Sequence, residues 1–282
     1  MIATPTWVNA NSAMEYHTES KDNYYQKEGD LGQWQGKGAE ALGFSGVVTE
    51  NELKKALWGK DAEGNQVVGA RLDKDGDRKR SGLDLTFNAP KSVSLAMELA
   101  SATENKELAK AIITAHEKSV EKGINNFERL IQTRETIDGN TSKYRSGNIA
   151  VAKFTHSVAR PVTDETGKTT VDPSLHTHAV VMNVTQAKDG SFKAIETGDI
   201  FKEYIKVGAQ YRMELANNLK ELGFDIRVTN QNQAFFEIDL KTNDDDKLLD
   251  EFSKRSQQLN EKELIAELKN KYPNKNSSEI KR

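Results

Sequence analysis

The chain has 282 residues, of which 36% are hydrophobic and 29% charged, with a formal net charge of −3 and no cysteine. The absence of cysteine excludes disulfides, thiol nucleophiles and cysteine-ligated zinc, and no apolar run approaches the ~18 residues that a membrane-spanning helix needs. The first residues lack the basic start and apolar core of a secretory signal, so the reading is a cytoplasmic enzyme, and any nucleic-acid site must come from locally clustered Lys and Arg.

In chain order, residues 1–8 alternate as a first strand. Ser12 with Glu15 has capping-box spacing, which predicts a helix starting near residue 12 and carrying Tyr16, Tyr24 and Tyr25. A glycine-rich stretch from Glu28 through Gly46 reads as a loop. Thr49 with Glu52 repeats the capping-box spacing and predicts a short helix ending near Gly59. Residues 61–80 are polar and carry Lys74, Arg78, Lys79 and Arg80, which read either as an exposed DNA-binding arm or as a solvated loop of mixed charge.

Leu83, Leu85 and Phe87 alternate with Asp84 and Thr86, so a strand should bury the apolar set and leave Asp84 on the other face. A helix should start near Asn88 and Pro90, and a longer one should cover about 103–132. Asp138-Gly139-Asn140 marks a hairpin turn, residues 157–173 a polar loop, and Asp189-Gly190 a second hairpin. Residues 197–222 are helical, with Phe201, Tyr204, Ile205, Ala209, Met213 and Leu219 as the expected core face. Strands at 224–228 and 234–238 follow, then a charge-rich tail. The division is a catalytic domain over 1–240 and, within the same domain, a helical charged flank over 241–282, expected to be mobile.

The stretch with the most chemistry is Leu175-His176-Thr177-His178-Ala179. In a strand, His176 and His178 share one face while Leu175, Thr177, Ala179 and Val181 pack the other. A third of the five histidines, His156, ends the apolar run from Ile149 to Phe154. On paired strands, His156, His176 and His178 would aim three imidazoles at one point, a donor set suited to a catalytic divalent metal. The plain alternative is an exposed polar strand face.

These pieces resemble a known family. Tyr16 with Tyr24-Tyr25, the Trp34–Glu40 loop, Asp84 through Ser94, Gly147 to His156, Pro173 to Ala179 and Phe252 to Arg255 together are similar to the motifs of MobF-type conjugative relaxases, within the HUH endonuclease superfamily. One position departs: where many members have two adjacent tyrosines, this chain has Tyr16-His17. The resemblance implies an α+β fold with a mostly antiparallel, five-stranded-type sheet flanked by helices. It implies site- and strand-specific nicking of single-stranded DNA at a plasmid transfer origin. Tyr16 would be the first nucleophile and Tyr24, or less favourably Tyr25, the second. Asp84 would orient a metal histidine or serve as base.

A divalent metal on His156, His176 and His178 is expected, with Mg²⁺ or Mn²⁺ in use and Zn²⁺ or Ni²⁺ able to occupy the site. Expected partners are origin DNA with an adjacent hairpin, accessory relaxosome proteins, a coupling protein and, if the chain is a fragment, a following helicase. Free tyrosine has a pKa near 10, so only about 0.1% is phenolate at neutral pH and the nucleophile needs activation. A rolling-circle replication initiator would share the metal and tyrosine chemistry. A metal-stabilised DNA-binding module would need no tyrosine, and a three-histidine oxygenase would need neither tyrosine nor basic arm.

Overall fold

The computed structural model describes residues 5–19, 32–103, 105–159, 161–163, 167–242 and 244–253. The elements, in order, are β1 (Thr6–Val8), α1 (Ala10–Glu19), β2 (Gly32–Gln35), α2 (Lys37–Ala41), β3 (Val47–Val48), α3 (Glu50–Leu57), β4 (Gly82–Asn88), α4 (Lys91–Ala102) and α5 (Lys106–Glu128). Then come β5 (Gln132–Ile137), β6 (Asn140–Arg145), β7 (Val151–Val158), β8 (Val162–Thr163), β9 (Thr169–Thr170) and β10 (Pro173–Met182). The chain continues through β11 (Thr185–Gln186), β12 (Phe192–Lys193), α6 (Ile200–Glu221), β13 (Ile226–Asn230), β14 (Phe235–Ile238) and α7 (Asp245–Glu251).

Six strands form the central sheet in the order β1-β4-β10-β7-β2-β3, with every neighbour antiparallel. This is one strand more than the five-stranded type, the addition being the two-residue edge strand β3. The class is α+β, as the sequence reading has it.

Period-2 alternation decides which face each strand residue joins. Leu83, Leu85 and Phe87 of β4 with Leu175, Ala179 and Val181 of β10 pack under α4, α5 and α6. Ala152 and Phe154 of β7 with Val180 and Met182 of β10 pack under α1, α2 and α3. The two faces therefore have separate apolar clusters, and the polar residues of the central strands lie at the open end of the second.

Local signals explain most elements. Thr49 accepts from the Glu52 backbone N–H at 3.3 Å and Glu52 accepts from the Thr49 N–H at 3.1 Å, completing the expected capping box. The β5–β6 hairpin turns through Asp138 and Gly139, both at positive φ (50° and 79°), the pair that a two-residue hairpin turn demands.

Four expectations need correction. Helix α1 begins at Ala10, not near Ser12: its Asn11 N–H donates to Asp77, 66 residues away, so the start is set by tertiary contact rather than by a local capping box. The glycine-rich stretch is not one loop but contains β2 and α2, with β3 directly after it. Its glycines permit close approach to β7: a Cβ at Gly32 would lie 1.9 Å from the Lys153 carbonyl oxygen, and one at Gly36 (φ 102°) 2.2 Å from that of Ile149. The 157–173 segment includes the β8–β9 ribbon. On α6, Leu219 is buried and Tyr204 packs at the edge of the core, but Phe201, Ile205 and Met213 are exposed. The buried side is Ile200, Val207, Tyr211, Leu215 and Leu219, which recur at helical spacing toward α5. The 241–282 flank is described through Ser253, including α7, and residues 254–282 lie outside the described residues.

Candidate active site

The site is assembled by the registers of three strands. β10 pairs with β7 so that His176 stands opposite His156, and with β4 so that His178 stands opposite Thr86. All three histidines therefore point to one face. Their ring centroids are 5.2 Å apart for His156–His176, 5.3 Å for His176–His178 and 5.7 Å for His156–His178. Burial, then the neighbouring His176 and His178, lowers the His156 pKa to about 4, so this ring is neutral at pH 7.

Helix α1 lies over this face. The Tyr16 hydroxyl is 3.1 Å from His178 Nε2, and His178 Nδ1 is 2.8 Å from Asp84 Oδ2. A carboxylate can only accept, so His178 carries its proton on Nδ1 and its lone pair on Nε2, and the Tyr16 O–H donates to that lone pair. Thr86 Oγ1 lies 3.3 Å from the same Nδ1. On His176, Nδ1–H donates to the Ser174 carbonyl at 2.8 Å, which also places the neutral ring's lone pair on Nε2. Asp84 thus reaches Tyr16 through the imidazole of His178, an arrangement suited to orienting the ring.

His17, at the position of the missing tyrosine, is buried. It stacks on Phe154 at 4.1 Å and 14°, and its ring centroid is 5.6 Å from that of His178. Burial first, then His178 and His156, holds its pKa well below the usual imidazole range. The sequence flagged His17 as a departure and did not place it in the site; its neighbour Tyr16 is the signal that would have done so. Ser174 and Thr86 carried no signal, because their roles depend on register.

Three neutral imidazoles with Nδ1 of two of them held by oxygen acceptors match the donor set and outer support of a divalent metal site. Asp84 Oδ1 and His17 Nδ1 are buried without a hydrogen-bond partner among the described residues, two polar atoms that a bound group could satisfy. As the side chains stand, no three His, Asp or Glu among the described residues are arranged to hold a metal ion. One reason is visible: Tyr16 bonds to Nε2 of His178, the nitrogen a metal would need. The residues fit the ion in type, and loading the site would have to release this hydrogen bond and bring the ring nitrogens together.

The basic segment behaves less uniformly than expected. Lys74, Lys79 and Arg80 are exposed, and the Arg80 guanidinium sits 5.5 Å from the Trp7 ring centroid. Arg78 is a correction: it is 2% exposed, and its guanidinium donates to the Leu57 carbonyl at 2.7 Å, so it holds the loop to α3 instead of facing a phosphate. Tyr24 and Tyr25 lie outside the described residues.

A six-stranded antiparallel sheet with three histidines and a carboxylate on one face, under a helix that carries a tyrosine, is a relaxase-type fold, and the comparisons agree on the fold. The TrwC relaxase profile matches residues 10–281, so the chain belongs to the TrwC relaxase family. The multifunctional conjugation protein TraI of Escherichia coli K12 is 35% identical over 230 residues, covering 78% of this chain and 12% of TraI. The chain therefore spans about an eighth of that relative's length. The conjugative relaxase TrwC in complex with oriT DNA, in its metal-bound form, superimposes with a TM-score of 0.74 at 33% identity, over 100% of this chain and 88% of TrwC. TrwC complexed with a 27-mer DNA comprising the recognition hairpin and the cleavage site gives 0.72 at 29% identity, with the same coverage.

Proposed function

We propose that this chain is the DNA nicking-joining domain of a conjugative relaxase, cutting single-stranded DNA at a transfer origin. The observation that carries the reading is the relay Tyr16–His178–Asp84 beside His156 and His176. Tyr16, having left the His178 Nε2 to which it bonds here, gives up its hydroxyl proton to solvent as its oxygen attacks phosphorus in line. The P–O3′ bond breaks, the leaving oxygen takes a proton to become a 3′-hydroxyl, and the 5′-phosphate stays on Tyr16. Storing the phosphodiester as a phosphotyrosine ester splits one difficult exchange into two and keeps the bond available for rejoining. Asp84 holds the His178 ring in the tautomer whose Nε2 lone pair faces the site.

His156, His176 and His178 would hold a divalent cation, Mg²⁺ or Mn²⁺ in use, and the chemistry it would supply is positive charge for the phosphate oxygens during displacement. Tyr24 is the proposed nucleophile of the rejoining step. Lys74, Lys79 and Arg80 contact the phosphates of the hairpin next to the cleavage site. Accessory relaxosome proteins and a coupling protein complete the proposed partners, in a cytoplasmic setting. No described helix is long and apolar enough to cross a membrane.

The test is incubation with a 3′-labelled single-stranded oligonucleotide carrying the hairpin and cleavage site of the chain's own transfer origin, followed by a denaturing gel. The wild type should give a covalent adduct with Mg²⁺, and chelator should suppress it. Tyr16→Phe should reduce adduct formation by at least about 10³-fold. An adduct that persists in Tyr16→Phe would overturn the assignment.

A further inference from the structure

Helix α1 carries the proposed nucleophile. Its described residues, Ala10–Glu19, bury Ala10, Ala13 and His17, with Met14 partly buried beside them. Two alanines bury little apolar area, so the position of Tyr16 depends also on how the N-terminal end of the helix is held.

The N-terminal end is held from the basic loop. The Asn11 N–H is 3.2 Å from each Asp77 carboxylate oxygen, and the Ala10 N–H donates to the Arg78 carbonyl at 3.3 Å. The first turn of α1 has no acidic residue of its own, so Asp77 provides both a cap and negative charge at the positive end of the helix dipole. Asp77 is itself 7% exposed and tightly placed. Its N–H donates to Asp73 Oδ1 at 2.9 Å, the Asp73 N–H donates to its carbonyl at 2.8 Å, and the next residue, Arg78, is tied to Leu57 at the end of α3. Tyr16 lies five residues beyond Asn11, about 7.5 Å along the axis, so a shift or fraying of the first turn passes directly to the hydroxyl.

We propose that Asp77 is a positioning residue for the reaction: by capping α1 from the basic loop it holds Tyr16 in register with His178. This rests on the nicking reading above. The loop that carries Lys74 and Lys79 on its surface presents Asp77 inward to the helix.

The experiment compares wild type with Asp77→Ala and Asp77→Asn in the full chain. Two readouts are taken: single-turnover adduct formation at saturating origin oligonucleotide, and amide exchange across α1, β4 and β10. Asp77→Ala should slow the single-turnover rate about tenfold with oligonucleotide Kd within about twofold of wild type, and Asp77→Asn, which keeps an acceptor oxygen, should recover most of the rate. Exchange over Ala13–His17 should speed up about tenfold in Asp77→Ala while β4 and β10 stay protected. The proposal is overturned if Asp77→Ala reacts at the wild-type rate, if Asp77→Asn is as slow as Asp77→Ala, or if β4 and β10 lose protection together with α1. Should the wild type form no adduct, it is the nicking reading that fails, and the exchange pattern still decides whether Asp77 holds α1.

Discussion

On one face of β10, Thr177 hydrogen-bonds to His116 Nε2 at 2.8 Å, and the same ring meets the Tyr211 hydroxyl through Nδ1 at 2.8 Å. On the other face, one residue either side, His176 and His178 hold Nδ1 against Ser174 and Asp84 and carry their lone pairs outward on Nε2. The first imidazole is fully buried, with both nitrogens satisfied by protein, and Thr155 extends the chain through Thr177 at 3.0 Å. Such a network fixes α5 and α6 to the sheet and leaves no atom for a substrate. In the second set one nitrogen of each ring is anchored, and the other nitrogen of His178 meets the Tyr16 hydroxyl. The partner of the second nitrogen, more than burial, separates His116 from His178: His156 and His17 are also buried.

The comparison is sharpest at Asp84 and Thr177, polar partners on opposite faces. Asp84→Asn should lower adduct formation by 10- to 100-fold, roughly the usual cost of losing a carboxylate that orients a metal-binding imidazole. Recovery of the rate in excess Mg²⁺ or Mn²⁺ would support orientation of His178, whereas a defect insensitive to metal would make Asp84 the base. Thr177→Val should leave the rate near wild type while reducing stability by about 1–3 kcal/mol, because His116 Nε2 loses its buried partner. Comparable slowing in both variants, measured under single-turnover conditions, would erase the distinction between the faces.

The second prediction concerns acid. Burial, then the nearby His176, lowers the His116 pKa to about 3 from the ordinary imidazole value of 6.5. Between those values the unfolded chain binds a proton at this residue and the native protein does not, so unfolding is favoured as pH falls below about 6.5. The slope is about 1.4 kcal/mol per pH unit, which gives a loss of roughly 2 kcal/mol at pH 5 from this group. His17 and His156, also lowered by burial, act in the same direction. The contribution of His116 is therefore read as the difference between wild type and His116→Gln in urea unfolding at pH 7 and pH 5. Parallel losses in the two proteins would show that His116 is not the neutral strut described here.

How far the sequence reached differs between these regions. The strand pattern around His176 and His178 and the alternation that puts Asp84 on the face opposite Leu83, Leu85 and Phe87 follow from period-2 geometry, and the structure has both; the register that sets His156 opposite His176 comes from the strand pairing. What the sequence could not show depends on partners far along the chain. The start of α1 is set by Asp77, the partners of Thr177 come from α5 and α6, and Arg78 is buried because Leu57 offers a carbonyl where its guanidinium turns. The face of α6 was misread because Phe201, Ile205 and Met213 are spaced by four and eight, a repeat as helical as the true core stripe. Periodicity chooses a helix and leaves its rotation to packing.

The basic loop tests whether a surface cluster can be divided by burial as the histidines are divided by bonding. Lys74 and Lys79 are exposed, whereas Arg78, between them, is sealed and bonded to Leu57. If exposed cations neutralise hairpin phosphates, Lys74→Glu with Lys79→Glu should weaken hairpin binding more at 50 mM than at 200 mM salt, and lower the log–log salt slope by about 1.8 for two duplex contacts. The rate at saturating oligonucleotide should change little, because neither side chain reaches the Tyr16–His178 pair. Arg78→Ala should do the reverse: it removes a buried donor from the Leu57 carbonyl and empties the space of a large side chain, so thermal stability falls while the salt slope holds. Binding titrations at several salt concentrations, paired with melting curves, separate the two outcomes. An unchanged slope in the lysine double variant would make this segment a structural brace for α1 and α3, with the hairpin contacts elsewhere on the domain.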